Sequence, residues 1–170
     1  MRTGPALALL LALGLAPALG ACGFTPLYAS PTVASGLPAI QVVAPQGRVA
    51  YLLREDLDDV LAHDKGAAPA WRLDFTLKQK RDPKGLNVND VAERYEVGLT
   101  VDYTLTSVAT GKVAHVGQIS TEVFYDAEDA PYAGIAARQN SQERVASDAA
   151  RRIQLDLAAW MARHKGSEGG

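Results

Sequence analysis

Two stretches of strict alternation set the terms for any fold this chain adopts. In Trp71-Arg72-Leu73-Asp74-Phe75-Thr76-Leu77-Lys78 every odd position is large and apolar and every even one polar. Tyr95, Val97, Leu99, Val101, Tyr103 and Leu105 repeat the pattern against Glu96, Gly98, Thr100, Asp102 and Thr104. Side chains alternate across a strand, so each stretch predicts a strand with one covered and one wet face. Between them Gln79–Glu93 is polar, holds Pro83 and Gly85, and reads as a long hairpin loop. Ala109-Thr110-Gly111-Lys112 reads as a tight turn into a fourth strand, Val113–Tyr125. There Val116 and Ile119 have opposite parity, which a bulge near Gly117 would reconcile.

The flanking segments supply helices to cover the apolar face. Ala39–Ala44 is a short apolar run closed by Pro45 and suits a first strand. From Arg48 to His63, Val49, Leu52, Leu53, Leu57, Val60 and Leu61 recur at helical spacing, and the helix is expected to end before Gly66 and Pro69. After the loop Asp126–Pro131 the chain reads as helical to about His164, with Ala146, Ala149, Ala150, Ile153, Leu157, Trp160 and Met161 in one stripe. Whether Tyr132–Gln139 forms a separate short helix is left open. The expected fold is α+β: a two-layer sandwich of a mostly antiparallel four-stranded sheet with two helices packed on one face. The first strand, set apart by a helix, is open to parallel pairing with a non-sequential neighbour.

The start of the chain is of a different kind. An apolar run, Ala6–Ala16, follows the single charge of Arg2 and is shorter than the roughly 20 residues a spanning helix needs. It ends in Leu19-Gly20-Ala21-Cys22, which resembles the lipobox of bacterial lipoproteins, and Cys22 is the one cysteine in the sequence. The resemblance implies that residues 1–21 are removed and that Cys22 carries a diacylglycerol and an N-acyl chain; no other cofactor is expected. Several acyl chains make attachment stable where one is marginal. Gly23 stands where an acidic residue would favour retention in the inner membrane, so the outer membrane, periplasmic side, is expected. Residues 22–38, with three prolines, read as lipidated terminus and flexible tether; 39–165 as one periplasmic domain; 166–170 as a flexible tail.

Charge narrows the function. Seventeen Lys plus Arg against nineteen Asp plus Glu is too nearly balanced for a general nucleic-acid binder. His63, His115 and His164 have no second ligand at metal-binding spacing, and no G-x-S-x-G is present. Asp58-Asp59 and Glu128-Asp129 read as solvated charges, so neither a metal site nor an enzyme is expected. What stands out is basic: Lys78, Lys80, Arg81 and Lys84 with only Asp82 beside them, and Lys112 at a hairpin tip. Lysines on an edge strand discourage aggregation, and the same residues suit an anion site. Beside a membrane rich in phosphorylated glycolipid the second reading gains weight. Lys80, Arg81 and Lys84, with Lys112 second, are the candidate lipopolysaccharide contacts.

The heptad Cys22-Gly23-Phe24-Thr25-Pro26-Leu27-Tyr28 is similar to the opening C-G-F-x-P-L-Y of the alphaproteobacterial LptE family of lipopolysaccharide-assembly lipoproteins. The alanine-rich Ala149-Ala150-Arg151-Arg152-Ile153 fits the same likeness. The resemblance implies a non-catalytic lipoprotein that lodges in the lumen of the outer-membrane β-barrel LptD, as plug and assembly partner, and binds lipopolysaccharide. The alternative is an auxiliary periplasmic lipoprotein of an ABC-type lipid transport system.

Overall fold

The computed structural model describes residues 31–86, 92–127 and 130–164. The signal segment, Cys22, the first part of the tether and the tail lie outside these residues. In chain order the elements are α1 (Pro31–Gly36), β1 (Ile40–Val43), α2 (Arg48–Val60), β2 (Trp71–Leu86), β3 (Ala92–Ser107), β4 (Val113–Asp126) and α3 (Pro131–Arg163).

The strands form one sheet in the order β1-β2-β3-β4. β2, β3 and β4 are antiparallel neighbours, whereas β1 runs parallel to β2, with Ile40 beside Trp71 and Val43 beside Asp74. The sheet is therefore mixed, which corrects the expectation of a mostly antiparallel one. β1 also pairs with the next strand in the chain, not with a distant one. A helix between two strands carries the chain back along the sheet, so the second strand starts where the first did and comes out parallel.

The alternation holds where it was clearest. Leu73, Phe75, Val97, Leu99, Val101, Tyr103 and Leu105 are buried on one face, and register sets Leu73 beside Leu105 and Phe75 beside Tyr103. α2 contributes Val49, Leu53 and Leu57 to the same core, and α3 contributes Val145, Ala146, Ala149, Ala150, Ile153 and Leu157. The alanines of α3 let its backbone lie close to the strands. α3 is one unbroken helix about 50 Å long at 1.5 Å per residue, so Tyr132–Gln139 is its first part and not a separate helix.

Three further expectations are corrected. The segment before Pro38 was read as tether, yet Pro31–Gly36 is helical, with Pro31 at its first position, and buries Val33 completely and Leu37 almost so. This is a third helix; it packs on α3, where Gly36 lies so close to Met161 that a β-carbon would stand 2.7 Å from its Sδ. Second, the loop expected at Gln79–Glu93 is mostly strand: β2 continues to Leu86 and β3 begins at Ala92. Pro83 is tolerated because β1 covers β2 only as far as Asp74, leaving the rest an edge with no ladder bond to lose on that side. Third, the irregularity of β4 lies between Leu105 and Thr106, which pair with His115 and Val113 and leave Ala114 as the extra residue. Beyond it the period is clean, and Val116 points to the wet face at 65% exposure.

Candidate functional site

Register decides which of the basic residues can act together. Lys80 and Lys84 share the parity of Lys78 and project from the wet face, while Arg81 has the parity of Leu77 and projects on the helix-bearing face. Lys80 and Lys84 each already have a carboxylate: Lys80 Nζ is 3.0 Å from Asp82, and Lys84 Nζ is 2.9 Å from Glu96. The Glu96 carboxylate, as acceptor and as charge, holds the Lys84 ammonium above its ordinary range.

Arg81 is mounted differently. Its guanidinium carbon lies 3.6 Å from the centre of the Tyr95 ring and 5.7 Å from that of Tyr125. Its Nε donates to the Tyr125 hydroxyl at 2.6 Å. The two rings are themselves stacked, 5.4 Å apart at 25°, because Tyr95 and Tyr125 face each other directly across the β3–β4 ladder. No ion pair to Arg81 forms among the described residues. Two aromatic residues thus fix one cation in place without neutralising it, and a fixed guanidinium fork suits two oxygens of a phosphate or carboxylate.

Lys112 belongs elsewhere. Its carbonyl accepts the Ser107 amide at 2.9 Å, whereas Lys84 pairs with Arg94. Ser107 and Arg94 lie towards opposite ends of β3, about 40 Å apart at ~3.3 Å per residue. One ligand headgroup cannot reach both, so the four candidates do not form one site. Lys80, Arg81 and Lys84 are also strand residues, where the start of a long loop was expected. On the wet face Gly98, between Lys80 and Glu122 on the neighbouring strands, leaves a shallow depression lined by Lys78, Lys80, Thr100, Ser120, Glu122 and Arg152. Arg152, from α3, reaches it through the Ser120 carbonyl at 3.5 Å.

A second polar cluster sits between sheet and α3. Tyr103 Oη donates to Asp156 Oδ2 at 2.5 Å, and His115 Nε2 is 2.6 Å from the same oxygen. Burial and the Asp156 carboxylate push the Tyr103 hydroxyl well above its ordinary range. For Asp156, burial pushes upward, but the hydrogen bonds from Tyr103 and His115 and nearby positive charge outweigh it and leave the carboxyl below its usual range. Trp160 stacks on His115 at 5.6 Å and on His164 at 4.9 Å, and meets Trp71 edge-on at 5.5 Å. Sequence reading missed this cluster because its members lie on three separate elements. No serine, threonine or cysteine hydroxyl or thiol is bonded to this histidine among the described residues, so the arrangement ties α3 to the sheet and offers no activated nucleophile. Among the described residues no three His, Cys, Asp or Glu side chains gather to hold a metal ion, and no helix is long and apolar enough to cross a membrane.

Comparison with known proteins bears on this geometry. No curated protein matches the chain. Among solved structures, a protein described as a lipoprotein from Caulobacter crescentus CB15 is 47% identical, covering 78% of this chain and 97% of its own with a TM-score of 0.69. Rare lipoprotein B of Shewanella oneidensis shares the fold at 18% identity and TM-score 0.56, covering 73% of this chain and 95% of its own. A lipoprotein B from Nitrosomonas europaea does so at 16% and 0.55, covering 72% and 83%. The family model for LptE, lipopolysaccharide-assembly, matches residues 37–157, from the buried Leu37 between α1 and β1 to the buried Leu157 of α3. With most of the folded domain inside that match, the chain belongs to the LptE family of lipopolysaccharide-assembly proteins.

Proposed function

We propose that this protein is an outer-membrane lipoprotein, held at the periplasmic side by acyl chains on Cys22. It lodges in the lumen of an LptD-type β-barrel as plug and assembly partner, and binds lipopolysaccharide on its way to the cell surface. Family membership supplies the role in lipopolysaccharide assembly, which is not a catalytic one. The observation that carries the finer reading is Arg81: a cation held by Tyr95 and Tyr125, with no carboxylate on it among the described residues. Phosphate is the anionic group that lipopolysaccharide would present to it, and a paired guanidinium would have to give up its partner first. The wet sheet face, with Thr100, Asp102, Gln118 and Ser120 hydrogen-bonded among themselves, suits the polar interior of an outer-membrane barrel.

The test is affinity purification of the native chain from detergent-solubilised outer membrane. A heat-modifiable β-barrel protein should accompany it, and mass spectrometry of the N-terminal peptide should find Cys22 at the terminus bearing acyl chains. Recovery with an inner-membrane transporter instead, or an unmodified cysteine, would remove the reading.

A further inference from the structure

The two ends of the sheet are finished differently. At the end where β2 runs on into β3, charged side chains are paired, Lys84 with Glu96 and Arg94 with Asp126. At the opposite end three segments meet. The Ala39 carbonyl accepts the Ala70 and Trp71 amides, the Pro38 carbonyl accepts the Asp64 amide, and the Ala70 carbonyl accepts the Val108 amide at 3.0 Å. These bonds gather the chain entering β1, the loop between α2 and β2, and the β3–β4 turn into one surface.

That surface is apolar and basic. Val108 is 52% exposed and Val113 60%, on either side of the turn that carries Lys112. Thr104 and Thr106 share a face of β3, so their partners on β4, Val116 and Val113, share it too, and both are exposed. Ala67, Ala68 and Ala70 are exposed in the neighbouring loop, which also carries Lys65. Neither Lys65 nor Lys112 forms an ion pair among the described residues, and Asp64 turns its Oδ1 to the Gly66 amide at 2.8 Å. Small apolar side chains interleaved with lysine suit the headgroup zone of a bilayer, where the valines meet the acyl boundary and the ammonium groups stay with the phosphates.

The tether decides which surface meets lipid. With Cys22 acylated, the stretch to Pro31 gives at most about 30 Å of reach, and it enters at this end, through α1 into β1. β3 is sixteen residues, about 50 Å long at ~3.3 Å per residue, against an apolar band of roughly 25 Å in an outer-membrane barrel. The domain is too long for the lumen to enclose. Its tethered end therefore stays at the headgroup level of the periplasmic leaflet while the remainder enters the barrel.

We propose that this end, with Val108, Val113, Lys65 and Lys112 foremost, seats on the anionic headgroups of the phospholipid leaflet that holds the anchor. The contact rests on the acylation of Cys22, and it sets the direction in which the domain stands. Lys112 thereby serves the bilayer, apart from Arg81.

The test uses the full acylated chain reconstituted into vesicles of phosphatidylethanolamine and phosphatidylglycerol. Val113→Cys and, at the far end, Lys84→Cys each carry an environment-sensitive fluorophore. A spin-labelled lipid should quench the probe at Val113→Cys about twofold or more beyond that at Lys84→Cys, and adding Lys65→Glu with Lys112→Glu should remove the difference. Equal quenching at the two positions, in chains that float with the vesicles, overturns the proposal and leaves the anchor standing. A difference that survives the double charge reversal overturns it too, since anionic headgroups would not be what the surface meets. Chains that fail to float overturn both readings, and labelling of Cys22 in the unsubstituted protein identifies missing acylation as the cause.

Discussion

Gly117 shows how one residue can be read for the right reason and the wrong cause. A glycine amid residues of clashing parity suggests a bulge, but the bulge is at Ala114. The clash came from assuming that Val116 faces inward. What Gly117 does is make room: it pairs with Tyr103 across the ladder, and a β-carbon there would stand 2.8 Å from Tyr103 Cε2 and closer still to the ring's hydroxyl end. That ring cannot retreat, since its hydroxyl is bonded to Asp156 and burial surrounds it. Gly117→Ala should therefore cost about 1–3 kcal/mol in urea unfolding, and much of the loss should vanish when Tyr103→Leu is added. An alanine that leaves the midpoint unmoved would show that the ring is not held as described. Asp156 gives a pH counterpart. Its carboxyl titrates below the ordinary value of 3.8 in the folded chain, so its contribution is present above that value and is lost as pH falls below it through the folded one. Asp156→Asn should be the less stable protein at neutral pH, with the gap to the native chain closing as pH drops below about 4. A gap that stays constant with pH would contradict this.

At the scale of elements, periodicity was legible wherever a helix covers the sheet and failed where none does. β2 alternates as far as Leu77 because Leu73 and Phe75 join the core that α2 and α3 also fill. Past that point Gln79, Arg81 and Pro83 have the inward parity but are exposed, so hydropathy carries no strand signal although the backbone ladder runs on to Leu86. α1 was hidden for the converse reason: Pro31, Ser35 and Gly36 look like linker, and only packing against α3 makes Pro31–Gly36 a helix. The end of α2 was placed about right on the strength of Gly66, but the residue that turns the chain is Ala62. It sits at φ 52°, with its own amide bonded to the Asp59 carbonyl and that of His63 to Asp58, both at 3.0 Å. This is the helix-ending pattern in which glycine usually takes the left-handed position. An alanine there is strained by about 1 kcal/mol. Ala62→Gly should stabilise the domain by about 0.5–1 kcal/mol, less what glycine's freedom costs the folded state, read as a higher urea midpoint at unchanged slope. A lower midpoint would mean that the β-carbon of Ala62 contributes packing that outweighs the strain.

For the molecule as a whole, the length of the sheet sorts the basic residues by what they can serve. α1 leads straight into β1 at the end where Ile40 pairs with Trp71, and Trp71 pairs with Ser107 beside the Lys112 turn. The stretch from Cys22 to Pro31 spans at most about 30 Å fully extended, so an anchor on Cys22 tethers that end of the domain, and Lys112 belongs to it. Arg81 lies about 30 Å further along β2 at ~3.3 Å per residue. Reading by charge alone grouped these residues because neither strand length nor the acid partners of Lys80 and Lys84 can be seen without the register. The separation makes a prediction for lipopolysaccharide binding by the purified protein. Arg81→Glu should weaken it about tenfold or more, since a like charge replaces a pre-placed guanidinium. Tyr125→Phe should weaken it less, because the Tyr95 ring still orients the cation after the Nε bond is lost. Lys112→Glu should leave it unchanged, and Lys80→Glu nearly so, because Asp82 already offsets that lysine. Equal urea midpoints across the four variants would assign the differences to the ligand. Binding that survives Arg81→Glu but is lost with Lys112→Glu would move the site to the tethered end and leave the tyrosine-held arginine with a purely structural role.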